Sequence, residues 1–410
     1  MASSSSLVQF LFLLFFVSHL PSSFSRPANI MFDLGRDSST LQYWIKITQG
    51  TPQTAMKLVL DLGGKLPWLR CHKGYNSSSI RPVKCTTTLC SLASKPVNST
   101  CLPKKTCSIY TSNPVTKSVG KGELMSDRVA VKSNPDDSEG IPVVSPRRFA
   151  FGCTTTSNFL SGLFKGAKGV AGLGRSSALS VVTQFAVGFR LPRIFALELS
   201  GGFSNNVYFG GGPYIHPDFS SESNTNRILE YTPLLVNPKS TDEYFVDLKS
   251  IQIHGKTVPI DKKLISINKE TGVGGTKIDI QTPYTTLETS IYKAVIKVYN
   301  EWAKSENITM VAAVAPFTSC YMSSTLPSWL YSGFRISPPS LSFVFPKNQL
   351  NVAWWDLFKV NDAVHCVAFV DGGSNPLTSI VIGAAQIGFL EFDISRSRLG
   401  FMQPNYMSGF

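Results

Sequence analysis

Apolar residues along this chain recur mostly at alternate positions, in runs too short for helices. The segments "YWIKITQG", "MKLVLDLG", "RVAVKS", "RRFAFGC", "NVYFGG", "EYFVDLKSIQIHG", "LSFVF", "HCVAFV" and "RLGFM" read as strands, divided by Gly, Pro, Asn and Ser. Alternation of this kind turns one face of each strand to a core. Helical spacing is confined to "ALSVVTQFAVGF" after Gly174 and to "SIYKAVIKVYNEWAKSE", where Ile291, Val295, Val298 and Trp302 recur on one face. That face predicts core packing rather than a cofactor surface. The pattern as a whole predicts a mostly β protein.

An order of parts repeats. One strand carries Asp61 onto a turn in "VLDLGGKLPWLRC", and another carries Asp279 in "GTKIDIQTPYTTLETSIY". Each is followed much later by an apolar pair and a glycine, "KGVAGLGR" in the first half and "SIVIGAAQ" in the second. Two duplicated lobes are expected, over residues 26–232 and 233–410, joined near "ILEYTPLLVNPKST". At 410 residues the chain can bury a core in each.

Composition sharpens the setting. Residues 1–25 have an apolar centre from Leu7 to Val17 and end in small residues, which predicts a secretory signal cleaved after Ser25. No later stretch approaches the roughly 20 apolar residues of a membrane span. A secreted, extracellular chain without a membrane partner is expected. Eight cysteines, an even number, predict four disulfides in that oxidising route. The cluster Cys85, Cys90, Cys101 and Cys107 has zinc-like spacings but holds no His, so cystine is the stronger reading. Sequons at Asn76, Asn98 and Asn307 are candidate glycosylation sites.

The formal charge of +13 is spread along the chain. Spread charge suits loose association with acidic cell-wall polysaccharide and not a nucleic-acid groove; solubility alone explains it equally well. The five histidines are scattered singly, with no Ser-His-Asp order and no metal spacing, and no glycine loop cradles a phosphate. No metal and no cofactor are expected.

The segments "TPYTTLETSIYKAV", "VDGGSNPLTSIVIG" and "EFDISRSRLGF", supported by "FGCTTTSNFLSG" and "GVAGLGR", carry a resemblance to the pepsin-like aspartic proteases of plants. Within them the chain most resembles the extracellular dermal glycoprotein, basic 7S globulin and wheat-type xylanase inhibitor group. The resemblance implies a bilobal pepsin-like fold, two β-barrel-like lobes with a central cleft. It also implies disulfides between Cys71 and Cys153, Cys85 and Cys107, Cys90 and Cys101, and Cys320 and Cys366.

In active members of that superfamily two carboxylates share a proton and hold a water. Fixed donors stabilise the developing charge, so each Asp is followed by Thr or Ser, Gly, and Thr or Ser. Here the first turn reads Asp61, Leu62, Gly63, Gly64, with both hydroxyls gone. The second reads Asp279, Ile280, Gln281, Thr282: one hydroxyl remains, and Gln281 stands where a side-chain-free Gly lets the backbone approach the dyad. A lost buried hydrogen-bond partner costs roughly 1–3 kcal/mol, about one to two decades in rate if felt wholly in the transition state. Counting back from "GELMSD" puts Pro114 where the flap Tyr of active members belongs. Cleavage after Ser25 would also leave only 15 residues before "LQYWIKITQG", too few for the usual prosegment.

Asp61 and Asp279 are therefore read as the positions of a vestigial dyad in a protein without proteolytic activity. Its expected role is inhibition of microbial cell-wall glycoside hydrolases, a family 11 xylanase or a family 12 xyloglucan-specific glucanase, in plant defence. Inhibitors of this group insert loops of the second lobe towards the catalytic carboxylates of the hydrolase. The candidates here are Arg335 in "SSTLPSWLYSGFRISPP", equally readable as an ordinary surface charge, and Asn405 and Tyr406 after Pro404. Two alternatives stay open. One is an atypical aspartic endopeptidase using Asp61 and Asp279; the other is a basic 7S globulin-like storage or binding protein.

Overall fold

The structure, a computed structural model, describes residues 29–71, 75–94, 101–102, 104–132, 142–145, 147–154, 158–199, 205–212, 214, 229–327, 340–352 and 357–403. The repeated order of parts folds into a repeated strand crossing. In the first half, the strand Thr54–Asp61 runs parallel to Gly169–Gly172, with Gly172 opposite Asp61. Gly169–Gly172 also lies antiparallel to Trp68–Arg70, which runs parallel to Phe149–Thr154. In the second half, Thr276–Ile278 runs parallel to Ile380–Ile382; that strand is antiparallel to Thr285–Leu287, itself parallel to Phe369–Asp371.

The two glycines noted in the sequence are steric necessities of this crossing. A Cβ on Gly172 would lie 2.6 Å from the Gly64 carbonyl oxygen, and one on Gly383 would strike the backbone of Tyr284. Only glycine lets the chain pass that close.

A six-stranded sheet joins the halves, in the order Ile30–Arg36, Asn206–Phe209, Ile194–Glu198, Phe389–Asp393, Arg398–Phe401 and Glu230–Leu235. Three strands come from each half, and the central pair sets Phe195 opposite Phe392, their rings stacked with centroids 4.5 Å apart. The mostly β, bilobal pepsin-like fold is this sheet with a lobe on either side and a cleft between them. Glu230–Leu235, which spans the expected junction, continues into the second lobe by pairing with Tyr244–Val246. The lobes are further tied by the Tyr244 hydroxyl, which donates to the Leu173 carbonyl at 2.7 Å, and by Arg175, which donates to the Leu235 carbonyl at 2.5 Å.

Both expected helices form. Val181–Phe189 begins at Ser180, whose hydroxyl accepts from the Thr183 N–H, an ordinary N-cap. Thr289–Ser305 buries Ile291, Val295, Tyr299 and Ala303, with Val298 and Trp302 packed at the margin. The strand Ile30–Arg36, overlooked in the sequence, alternates with Ile30, Phe32 and Leu34 buried, whereas the short helix Thr88–Ser94 carries no clear pattern and is held by a disulfide.

Two implied pairings are corrected. Cys71 joins Cys153 and Cys320 joins Cys366, but the cluster exchanges partners, Cys85 with Cys101 and Cys90 with Cys107, at Cα separations of 5.5 and 5.7 Å. Burial explains the exchange. Cys90 on the short helix and Cys107 are both fully buried in one apolar cluster with Val83, Ile109 and Leu124, whereas Cys85 and Cys101 meet nearer the surface.

Candidate functional site

Each crossing delivers its Asp to one cavity of about 740 Å³, lined by Asp61 and Asp279 together with Leu62, Pro114, Lys117, Glu243 and Gln281 among others. The two carboxylates have different surroundings. Asp61 Oδ1 accepts one hydrogen bond, from the Gly63 N–H at 3.1 Å. Burial, and then the neighbouring charge of Asp279, push the Asp61 carboxyl up to about 6; the Lys117 and Lys277 ammonium groups only partly oppose this.

Asp279 Oδ1 accepts from the Gln281 N–H at 2.9 Å, and its Oδ2 lies 3.6 Å from Lys277 Nζ. Lys277 Nζ in turn lies 2.5 Å from Glu243 Oε1, and the Ser240 hydroxyl donates to the other Glu243 oxygen. Burial opposes the Lys277 charge, yet Asp279 and Glu243 outweigh it and hold the ammonium above its usual range. The second carboxylate is thus ion-paired from within the floor of the cleft. Sequence reasoning missed this triad, although Lys277, on the strand Thr276–Ile278, and Asp279, just past its end, stand two apart in extended chain and so share a face.

The missing hydroxyls are replaced by hydrocarbon and by closed space. Leu62 and Ile280 are each 2% exposed and belong to the main core, so neither offers a donor to the cleft. A Cβ on Gly64 would lie 2.7 Å from Gly172 Cα and 2.9 Å from Asp61 Oδ2, which leaves no room for a serine. Gln281 does something the sequence did not suggest. Its side-chain amide donates across the cleft to the Leu60 carbonyl, forming a cross-lobe bond that Leu62 cannot make. Its Oε1 is buried with no hydrogen-bond partner among the described residues.

Pro114 lies at the tip of the hairpin formed by Ser108–Ser112 and Val119–Asp127. Asn113 organises that tip. Its side chain accepts from the Val115 and Thr116 N–H groups at 2.8 and 3.1 Å, and donates to the Phe159 and Ser161 carbonyls, both at 2.9 Å. The Trp68 indole N–H, 3.0 Å from the Ser112 carbonyl, anchors the base. The flap is therefore a fixed turn that brings Lys117, and no tyrosine, to the cavity.

Asn76 and Asn307 are exposed at the surface, while Asn98, Arg335, Asn405 and Tyr406 lie outside the described residues. Among the described residues no group of three His, Cys, Asp or Glu could hold a metal ion, and no helix is long and apolar enough to cross a membrane. The cleft has room for a ligand and two carboxylates, with Leu62 and Ile280 in place of the hydroxyl donors that follow each Asp in active members, and Thr282 as the one hydroxyl the two turns keep.

Comparison with known proteins gives matches over both halves. Residues 43–211 match the family model described as xylanase inhibitor N-terminal, and residues 243–403 the one described as xylanase inhibitor C-terminal. The chain is 40% identical to the probable aspartic proteinase GIP2 of Nicotiana benthamiana, over 92% of this chain and 89% of that one. It is 33% identical to gamma conglutin 1 of Prunus dulcis, over 94% and 88% respectively. The crystal structure of edgp is similar with a TM-score of 0.85 and 37% identity, covering 93% of this chain and 96% of the other.

Proposed function

Because this chain belongs to the family of paired xylanase inhibitor N-terminal and C-terminal domains, we propose that it is a secreted, non-proteolytic inhibitor of microbial cell-wall glycoside hydrolases in plant defence. The observation that carries the non-proteolytic part is the cleft floor, where Lys277 pairs with Asp279 and Leu62 and Ile280 replace hydroxyl donors. Peptide hydrolysis needs a water held between two carboxylates that share one proton. A fixed cation against Asp279, with Leu62 and Ile280 where hydroxyl donors stand in active members, does not hold that water.

In this reading residues 1–25 direct export and are removed, residues 26–232 and 233–410 form the lobes, and the inhibitory residues are Arg335, Asn405 and Tyr406. The hydrolase is a family 11 xylanase or a family 12 xyloglucan-specific glucanase, and the positive charge favours retention on acidic wall polysaccharide. Titrating one enzyme of each family with the purified chain is expected to give stoichiometric loss of activity in at least one. Full activity of both at excess chain would sink the proposal.

A second reading, residual endopeptidase activity, is favoured by the Asp61 carboxyl, which burial and Asp279 raise to about 6, so that one member of the pair carries a proton in acid. Casein cleavage at acid pH that is pepstatin-sensitive and lost in Asp61→Asn would establish it in place of the first.

A further inference from the structure

A groove of about 780 Å³ runs along the helix Thr289–Ser305, with Ile296, Ile308 and Met310 in its lining and Lys293, Lys297 and Lys304 along it. Met310 is 49% exposed. The helix ends beside the groove in a left-handed cap. The Ile308 N–H donates to the Ala303 carbonyl at 2.8 Å, the Asn307 N–H to the Lys304 carbonyl at 3.3 Å, and Asn307 has φ 55°. This turn buries Ile308 and leaves Asn307 exposed. Asn tolerates the left-handed region better than other residues with a Cβ, so capping alone accounts for Asn307.

Capping does not account for Thr309. It is exposed, its hydroxyl has no hydrogen bond among the described residues, and it completes the acceptor sequence Asn307, Ile308, Thr309. At the Asn76 acceptor, by contrast, the hydroxyl of Ser78 donates to the Thr51 carbonyl at 3.2 Å, which gives that residue a local structural role.

We propose that Asn307 carries an N-linked glycan that folds back over the groove and covers Met310. The acceptor lies at the edge of the groove, since Lys304, Ile308 and Met310, which flank Asn307 and Thr309 in the chain, line it. Sugar rings present C–H faces that suit the apolar floor, and hydroxyls that accept from the three lysine ammonium groups. The proposal rests on the secretory reading given above.

The test uses the full chain secreted from plant cells, with Thr309→Ala as the acceptor-less variant. This substitution keeps Asn307 in the cap, and enzymatic deglycosylation of the parent chain gives a second comparison without mutation. Peptide mass spectrometry should find glycan on Asn307. Dilute hydrogen peroxide then transfers one oxygen to each accessible methionine thioether, releasing water. Met310 should oxidise several-fold faster in Thr309→Ala and in the deglycosylated chain. Met322, 39% exposed, follows the Tyr321 that pairs with Met310 and so faces the other side of the same ladder; its rate should not change.

An unmodified Asn307 in a chain glycosylated at Asn76 or Asn98 would overturn the proposal, as would equal Met310 oxidation with and without the glycan. A chain retained in the cell and bare at all three acceptors would overturn the secretory reading, and this proposal with it.

Discussion

The two aspartate turns share one topology and differ in chemistry. Asp61 ends its strand opposite Gly172 and Asp279 directly follows its strand, each in the same four-strand crossing, where close approach demands Gly172 and Gly383. Asp61 is left with one backbone donor and a carboxyl raised to about 6 by burial and Asp279, whereas Asp279 is paired with Lys277, itself held by Glu243. Backbone crossing is a steric requirement that both halves must meet. The surroundings of a carboxylate depend on single side chains, and each half can alter these without disturbing the crossing.

Removing the cation should disturb this contrast most. Lys277→Met leaves Glu243 and Asp279 partly buried without their counter-ion, and should cost about 3 kcal/mol, read as a lower urea midpoint. A neutral result would mean that the ion pair is not what separates the two turns.

Asp61→Asn should act in the opposite direction. The folded-state pKa of Asp61 is raised from 3.8 to about 6, so the folded chain keeps a proton that the unfolded chain releases. Stability is therefore lost as pH rises from about 4 to about 6, and the deficit persists above that. The Asn variant should be more stable than the parent by on the order of 2–3 kcal/mol at pH 7, with the difference gone below about pH 4. A constant difference across that range would remove Asp61 titration as its cause.

Restoring one lost hydroxyl should not restore the site. In Gly64→Ser the new Cβ meets Gly172 Cα at 2.7 Å, so a loss of about 2 kcal/mol is expected, with no casein cleavage at acid pH. The smallest effect belongs to Gln281→Ala. It removes the cross-lobe bond to Leu60 but also relieves a buried, unpartnered Oε1, for a net loss of about 1 kcal/mol by thermal or urea unfolding. A gain in stability would show that the bond does not hold the lobes together.

Much of this site is legible in the amino-acid sequence. Alternation locates the strand Thr54–Asp61, the glycine-bearing segments "KGVAGLGR" and "SIVIGAAQ" announce a duplicated crossing, and Leu62 and Ile280 stand where hydroxyls are expected. The strand Ile30–Arg36 shows the same alternation, but its place in the interlobe sheet is not legible, because it is fixed by Asn206–Phe209, far along the chain. The cysteine cluster misleads for a related reason. Spacing does not reveal that Cys90 and Cys107 share one buried pocket, and the structure pairs them with each other.

Residue order alone dictates which segments form strands, that the parts occur twice, that two carboxylates survive, and which side chains beside them lack hydroxyls. These are local properties, carried by residue type and by periodicities of a few positions. Folding in three dimensions is what brings Lys277 to a Glu243 34 residues away, and Gln281 to the Leu60 carbonyl across 221 residues. It also closes the space in which Gly64 could have carried a side chain. The Lys277–Glu243 contact is set by packing within the second lobe and the Gln281–Leu60 contact by how the two lobes close on each other, and no local pattern encodes either.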